Sequence, residues 1–307
     1  MHSPALLVET ILSNIDDTIE GFISFKIDEL KNDHFPDSDV IVYYGGITEW
    51  AKQIYQPVLE DIGRVAKKKE TSSLVIILST GGGSVESVEK MVEITRHFYQ
   101  EVYFIVPNYA MSAGTIWCMS GDKIYMDYAS SLGPIDPQVQ SSDGKWVPAL
   151  GYLDKVEEII NKSHTGQVTQ AELMMLNNLD LAQLRRYEQA RELSKDLLKK
   201  WLVEYKFRNW NVRERTQAPV TLDDKIARAE DIAVALSDNR RWHSHGRFIG
   251  INTLTNDLHL QIEDYTDNVQ LTEDLREIDK MLTEFRFKVQ KEIIVMSSLA
   301  NDIATEE

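Results

Sequence analysis

Two short stretches of the chain hold residue types that can do acyl chemistry. In Ser79-Thr80-Gly81-Gly82-Gly83-Ser84 three consecutive glycines follow an apolar run. Such glycines reach φ > 0 and expose backbone N–H groups at a helix start, which is what an anion or a developing oxyanion needs. A dinucleotide fingerprint would require glycine where Glu86 stands, and that charge opposes a pyrophosphate; no Gly-Lys-Ser/Thr follows to make a P-loop. The second stretch is Tyr109-Ala110-Met111-Ser112-Ala113-Gly114-Thr115, where small residues around Ser112 leave room for a substrate carbonyl. Taken singly, each stretch also has a plain reading: the glycines as a tight strand-to-helix turn, and Ser112 as a helix N-cap.

The elements around them change the odds. Val40–Tyr44, Leu74–Ser79, Val102–Val106 and Lys123–Met126 are short runs rich in apolar, β-branched or aromatic residues, as expected for strands covered on both faces. Between the second and third, the spacing predicts a helix from about Ser84 to Tyr99, with Val85, Val88, Met91, Val92 and Phe98 towards the sheet. This alternation is that of parallel strands joined by crossover helices, so both loops leave the same edge of one sheet and face each other. After about Pro134 the chain turns helical. Thr169 and Glu172 are spaced as a capping box; Leu181, Leu184, Tyr187, Leu198, Trp201 and Tyr205 make a stripe. A helix from Leu222 to Leu236 is capped by Thr221, and a last one runs from Asp274 to about Leu299. The division expected is an N-terminal helical arm over 1–36, a catalytic core over 37–165 and a helical extension over 166–307, with a segment at about 239–251 returning to the core.

Four segments taken together resemble the Clp-protease/crotonase superfamily, its signal peptide peptidase A class, and within it the serine dehydrogenase proteinase family. They are Ser79-Thr80-Gly81-Gly82-Gly83-Ser84-Val85, Ala110-Met111-Ser112-Ala113-Gly114-Thr115, Ser131-Leu132-Gly133-Pro134-Ile135-Asp136-Pro137-Gln138 and Arg241-Trp242-His243-Ser244-His245-Gly246-Arg247. The resemblance implies an α/β fold with a Clp/crotonase-like parallel sheet of repeated ββα-type units and a long helical C-terminal half. It implies that Ser112 is the nucleophile of a serine peptidase and that the amides of Gly83 (or Gly82) and Ala113 form the oxyanion hole. The turn through Gly133, Pro134, Ile135 and Asp136 would line the substrate groove.

The base is less direct. Clp-type peptidases carry a histidine at the turn that here reads Pro134-Ile135-Asp136, where this chain has none. Signal peptide peptidase A uses a lysine, and the matching helix begins Gly151-Tyr152-Leu153-Asp154-Lys155. Lys155 is the expected base, forming a Ser-Lys dyad. To act so it must be desolvated beside Tyr152 and Ile159, with Glu157 and Glu158 pointing away and Asp136 turned aside or bonded to backbone. Lys145 and Lys123 are weaker alternatives. His243 and His245, spaced H-x-H without a carboxylate or cysteine partner, do not make a metal site and are expected at the functional edge of the sheet. Cys118 reads as core.

Composition narrows the partners. Lys plus Arg number 33 against 49 Asp plus Glu, a net charge of −16, which disfavours nucleic acid and anionic lipid. The longest basic run, Lys67-Lys68-Lys69, reads as a helix end. One cysteine excludes an internal disulfide and fits a reducing, cytoplasmic setting. Between Pro4 and Ile27, acidic residues interrupt the apolar ones, so that Leu7, Ile11, Ile15, Phe22 and Ile23 form one face of an amphipathic helix rather than a membrane span or a secretory leader. No metal or organic cofactor is expected. The partners expected are a protein or peptide substrate and further copies of the chain in a homo-oligomer. The rival reading is a catalytically silent scaffold or regulator acting through the helical half.

Overall fold

In the computed structural model, which describes residues 4–69, 73–140, 146–177, 179–213 and 215–298, the four apolar runs become the heart of a six-stranded sheet. Helix α1 (Pro4–His34) leads into β1 (Ser38–Gly45), then α2 (Ala51–Lys69), β2 (Ser73–Ser79), α3 (Val85–Phe98) and β3 (Glu101–Ile105). A two-residue strand β4 (Tyr109–Ala110) opens the short helix α4 (Ala113–Cys118), and β5 (Lys123–Met126) follows. β1, β2, β3 and β5 pair in parallel, because each crossover helix returns the chain to the same edge. Side chains alternate across the sheet. Ile41, Tyr43, Ile76, Leu78 and Phe104 pack with α2, α3 and α4, whereas Val40, Val42, Tyr44, Val75 and Ile77 pack with α1 and the last helix. Trp117 anchors the first face, its ring edge-on to Tyr43, Tyr55 and Phe104 with centroids 5.1, 5.5 and 5.9 Å away.

A second, small sheet joins the C-terminal end of β2, where Thr80 bridges Ala110 in parallel. β6 (Ser131–Leu132) lies between β4, to which it is parallel, and the distant β9 (Ile249–Gly250), to which it is antiparallel. Between them in sequence come the hairpin β7 (Gln138–Gln140) and β8 (Trp146–Pro148), then α5 (Ala149–His164), α6 (Gln170–Asn177), α7 (Leu181–Trp201), α8 (Leu222–Ser237) and α9 (Asn239–Trp242). Leu197, Leu198, Trp201, Ile232, Leu236 and Trp242 join the same buried cluster as the first face of the sheet, so the helical half shares the core of the strands. Thr221 and Asp224 close a reciprocal capping box on α8, and Thr169 and Glu172 do so before α6.

The last helix departs from expectation. α10 runs from Val269 to Lys288, and Ile293–Ser297 is then a strand, β11, antiparallel to β1. β10 (Glu263–Asp264) closes the opposite edge beside β5. Gln290 at φ 52° breaks the helix, and Ile293-Ile294-Val295-Met296 covers the edge of β1 that would otherwise be left with unpaired backbone groups. Helix α1 also sits differently: Ile23, Ile27 and Leu30 are its buried line, while Phe22, about 100° round the helix from Ile23, and Ile15 are half-exposed. Leu7 and Ile11 fall among residues whose side chains are not described. Leu181, at the first turn of α7, is exposed, and that helix begins to pack at Leu184 and Tyr187.

One core feature sets a stability test. Lys206 ends a π-helical turn after α7, half-buried, with its amine 3.4 Å from the carbonyl of Asp122. Burial brings the amine from its ordinary 10.5 down to about 8, against the opposing pull of Glu263 and Asp122. Between those two values the unfolded chain holds more protons than the folded one, so stability rises with pH there, and the cost is complete below about 8. Lys206→Met keeps the stem and removes the charge. It is expected to raise stability at pH 7 by about 1–2 kcal/mol in urea denaturation, with a smaller gain at pH 10; a loss at pH 7 would contradict this reading.

Candidate active site

The two loops singled out in the sequence meet. Thr80 N–H donates to Tyr109 O at 3.1 Å and Met111 N–H to Thr80 O at 2.9 Å, which binds the glycine loop to the serine loop. On the other side Ile47 N–H donates to Gly82 O and Ser84 N–H to Ile47 O, at 2.9 and 2.7 Å. Gly82 and Gly83 have φ of 98° and 146°. A Cβ at Gly83 would strike Ile47 O at 2.0 Å; one at Gly82 would lie 2.8 Å from Ser112 Cβ and 3.3 Å from Ala113 N. Glycine at 82 therefore keeps open the ground in front of the Ala113 amide.

Ser112 occupies the N-cap position of α4 but does not cap it: its side chain makes no capping bond, and its backbone is at φ 53°, ψ −115°. An L-residue seldom adopts this conformation, which costs about 1–3 kcal/mol and is found where surrounding structure and function demand it. Half-exposed, the hydroxyl has no hydrogen-bond partner among the described residues. Of the amides expected around it, Gly82 N–H is taken by Thr80 Oγ1 at 3.1 Å. Gly83 N–H and the Ala113 N–H, the first of α4, have no acceptor among the described residues. The pair left available to an oxyanion is thus Gly83 and Ala113, and Gly82 serves by its lack of a side chain.

A third arm arrives from the small sheet. Asp136 lies four residues past the end of β6 and His245 four before the start of β9, while Ser112 lies two past the end of β4. Because β4 and β6 are parallel and β9 antiparallel, all three leave the same end of that sheet. There His245 Nδ1 is 2.9 Å from Asp136 Oδ1, with Asp136 buried and His245 only slightly exposed. A carboxylate at Nδ1 fixes the imidazole with that nitrogen as donor, which leaves Nε2 as the basic one. The far ends of both arms are held by one helix: Leu236 O accepts Ile135 N–H at 3.0 Å and Ala235 O accepts the Trp242 indole N–H at 2.7 Å, both at the end of α8. The second oxygen of Asp136 is buried without a hydrogen-bond partner among the described residues.

The remaining expected residues fall elsewhere. Lys155 on α5 is half-exposed, with Nζ 3.0 Å from Glu158, so it is not tucked against Tyr152 and Ile159 and Glu158 does not point away. A surface helix lets a flexible lysine reach the carboxylate one turn on. Asp136, expected to turn to backbone, faces His245 instead. Gly133, Pro134, Ile135 and Asp136 are buried in the turn after β6 rather than presented to an open groove, because Thr115 and α8 cover it. Lys123 starts β5 with its amine over the Tyr103 ring at 5.1 Å, and Lys145 lies outside the described residues. His243 is exposed in a left-handed turn closing α9. Cys118 is buried, and burial pushes its thiol up. His245 shows in the sequence only as half of an H-x-H pair; its partner Asp136 is 109 residues away, and no local spacing reports the contact.

The chain is similar to several known proteins. Two uncharacterized proteins of Methanocaldococcus jannaschii are similar to it, one 37% identical over 95 residues and the other 31% identical over 70. The matched stretches span 31% and 24% of those proteins and 31% and 23% of this chain. Among solved structures, ClpP1 of Listeria monocytogenes aligns over 73% of this chain and 89% of its own, at 11% identity and a TM-score of 0.39. A mutant of the 1510-N membrane-bound stomatin-specific protease, in complex with a substrate peptide, aligns over 39% of this chain and 56% of its own, at 21% identity and a TM-score of 0.31. The family model of the ClpP-like SDH-type serine proteinases matches residues 56–233, which include the glycine loop, Ser112 and Asp136. Since that is more than half of its length, the chain belongs to the ClpP-like SDH-type serine proteinase family.

Proposed function

We propose that this chain is a serine peptidase that cleaves protein or peptide substrates through an acyl-enzyme on Ser112, with His245 as general base and Asp136 as its orienting acid. The observation that carries the reading is the convergence at one sheet end of a strained serine, unpaired among the described residues, and a largely buried His245–Asp136 pair at 2.9 Å. In this mechanism His245 Nε2 takes the proton as Ser112 Oγ bonds to the scissile carbonyl carbon. The carbonyl oxygen becomes an oxyanion facing Gly83 and Ala113 N–H, and the imidazolium then gives its proton to the leaving amine. Water repeats the sequence to release the acid. Ser112 Oγ and His245 are not hydrogen-bonded in the structure; in resting sites such bonds are often long and tighten only with substrate.

Lys155 remains the rival base, and its place on the solvent face of α5 beside Glu158 favours His245. The turn through Gly133, Pro134, Ile135 and Asp136 acts in this reading as the wall behind the nucleophile. No described helix is long and apolar enough to cross a membrane. The reading extends to a cytoplasmic homo-oligomer, supported by exposed apolar side chains such as Leu173, Met174 and Met175 on α6, a helix with no buried residue. Light scattering at micromolar concentration is expected to give a multiple of the chain mass; a monomer would reject assembly. The function itself is tested by hydrolysis of an unfolded labelled protein and by reaction with a serine-directed fluorophosphonate. Both are expected of the purified chain. Partner binding with neither activity would favour the scaffold reading.

A further inference from the structure

The ladder between β4 and β6 ends in an irregular rung. Tyr109 is opposite Ser131 and Ala110 opposite Leu132, and Ser131 N–H donates to Asn108 O at 2.8 Å. Bonds of this kind in a parallel ladder recur every two residues on each strand. The next one would run from Gly133 N–H to Ala110 O. Instead Gly133 N–H donates to Thr115 Oγ1 at 2.9 Å, and Thr115 Oγ1 lies 2.8 Å from Ala110 O. The same hydroxyl is 2.9 Å from Gly133 O, so its one proton serves one of two carbonyls at a time. Thr115 is fully buried. A threonine oxygen is therefore spliced into the last rung, and with its proton directed to Ala110 O two hydrogen bonds in series span the gap that one normally closes.

That rung sits where the site is built. Ser112 comes two residues after Ala110, and Asp136 three after Gly133. We propose that Thr115 is a positioning residue for acyl transfer: its hydroxyl holds the two strand ends apart by the width of one relayed hydrogen bond and so sets the distance from Ser112 to the His245–Asp136 pair. The proposal rests on the reading of Ser112 as nucleophile. Valine has the same shape without the hydroxyl. In Thr115→Val the Gly133 amide must either close directly on Ala110 O, drawing the strands together, or stay buried and unpaired. The first outcome moves the base relative to the nucleophile, and the second leaves the two strand ends without the bond that fixes their separation.

The test is the rate of acylation by a fluorophosphonate followed to saturation, on the full chain with circular dichroism as the control for folding. Thr115→Val is expected to lower the maximal acylation rate about 30- to 100-fold, the scale of a misplacement near 1 Å. The half-saturating probe concentration is expected to stay within about twofold, because the probe's access is unchanged. Thr115→Ser, which keeps the oxygen and loses a methyl, is expected to stay within about threefold of wild type. A merely structural threonine would not give that split. Should Thr115→Val fail to fold, Thr115→Ala is held to the same criterion. A wild-type rate in the hydroxyl-free variant that folds, or a loss in Thr115→Ser as large as in that variant, overturns the proposal alone. A wild-type chain that takes no adduct overturns the peptidase reading and this proposal with it.

Discussion

Replacing Ser112 by alanine is expected to abolish hydrolysis of an unfolded protein, by about 10⁴-fold or more, while leaving the circular dichroism spectrum and the denaturation midpoint nearly unchanged. The size follows from the role. With no nucleophile, the oxyanion amides and binding alone leave only a small residual acceleration. The small effect on stability follows from the structure. Ser112 Oγ caps no amide, so its removal orphans no buried partner. Alanine inherits the same positive φ and the same strain. Hydrolysis retained in Ser112→Ala would remove this residue from the mechanism.

The next largest effect separates the two candidate bases. His245→Ala and Asp136→Asn are each expected to reduce turnover by about 10³- to 10⁴-fold, the range found when a general base is deleted or its tautomer is lost. Asparagine keeps the shape of Asp136, but its amide can offer N–H towards Nδ1 and turn the imidazole over, which would place a proton on Nε2. Lys155→Met, by contrast, is expected to keep turnover within about twofold, since the lysine lies on a solvent-facing turn with Glu158. The reverse pattern, with Lys155→Met inactive and His245→Ala active, would restore the Ser-Lys dyad and discard the pair at the small sheet. Steady-state rates on one labelled substrate distinguish the two.

The parts of the fold legible in the sequence are those whose signals are local. β1, β2, β3 and β5 read as apolar runs because both faces of the sheet are covered, and α3 and α8 because a cap and a 3.6-residue stripe coincide. In the sequence β11 reads as a continuation of α10: Leu275, Ile278, Leu282, Phe285, Val289 and Ile293 keep a helical spacing, and a five-residue apolar run is ambiguous in period. What decides it is the open edge of β1, a partner some 250 residues earlier in the chain. The candidate site divides along the same line. Gly82, Gly83, Ser112 and Ala113 could be found because each follows a strand within a few residues. The His245–Asp136 pair could not, because it depends on β9 returning beside β6. Asp136 stands at the turn where Clp-type resemblance calls for a histidine, so the absence of one pointed to lysine. In the proposed mechanism the acid occupies that turn and the histidine comes from the far end of the helical half.

The central claim is that Ser112 is the residue that becomes acylated. Peptide mass spectrometry of the chain after reaction with a fluorophosphonate tests it most directly. The expected result is a single stoichiometric adduct on the peptide containing Ser112, greatly slowed in His245→Ala and missing in Ser112→Ala. No adduct on the wild-type chain, or an adduct at another serine that persists in Ser112→Ala, would contradict it.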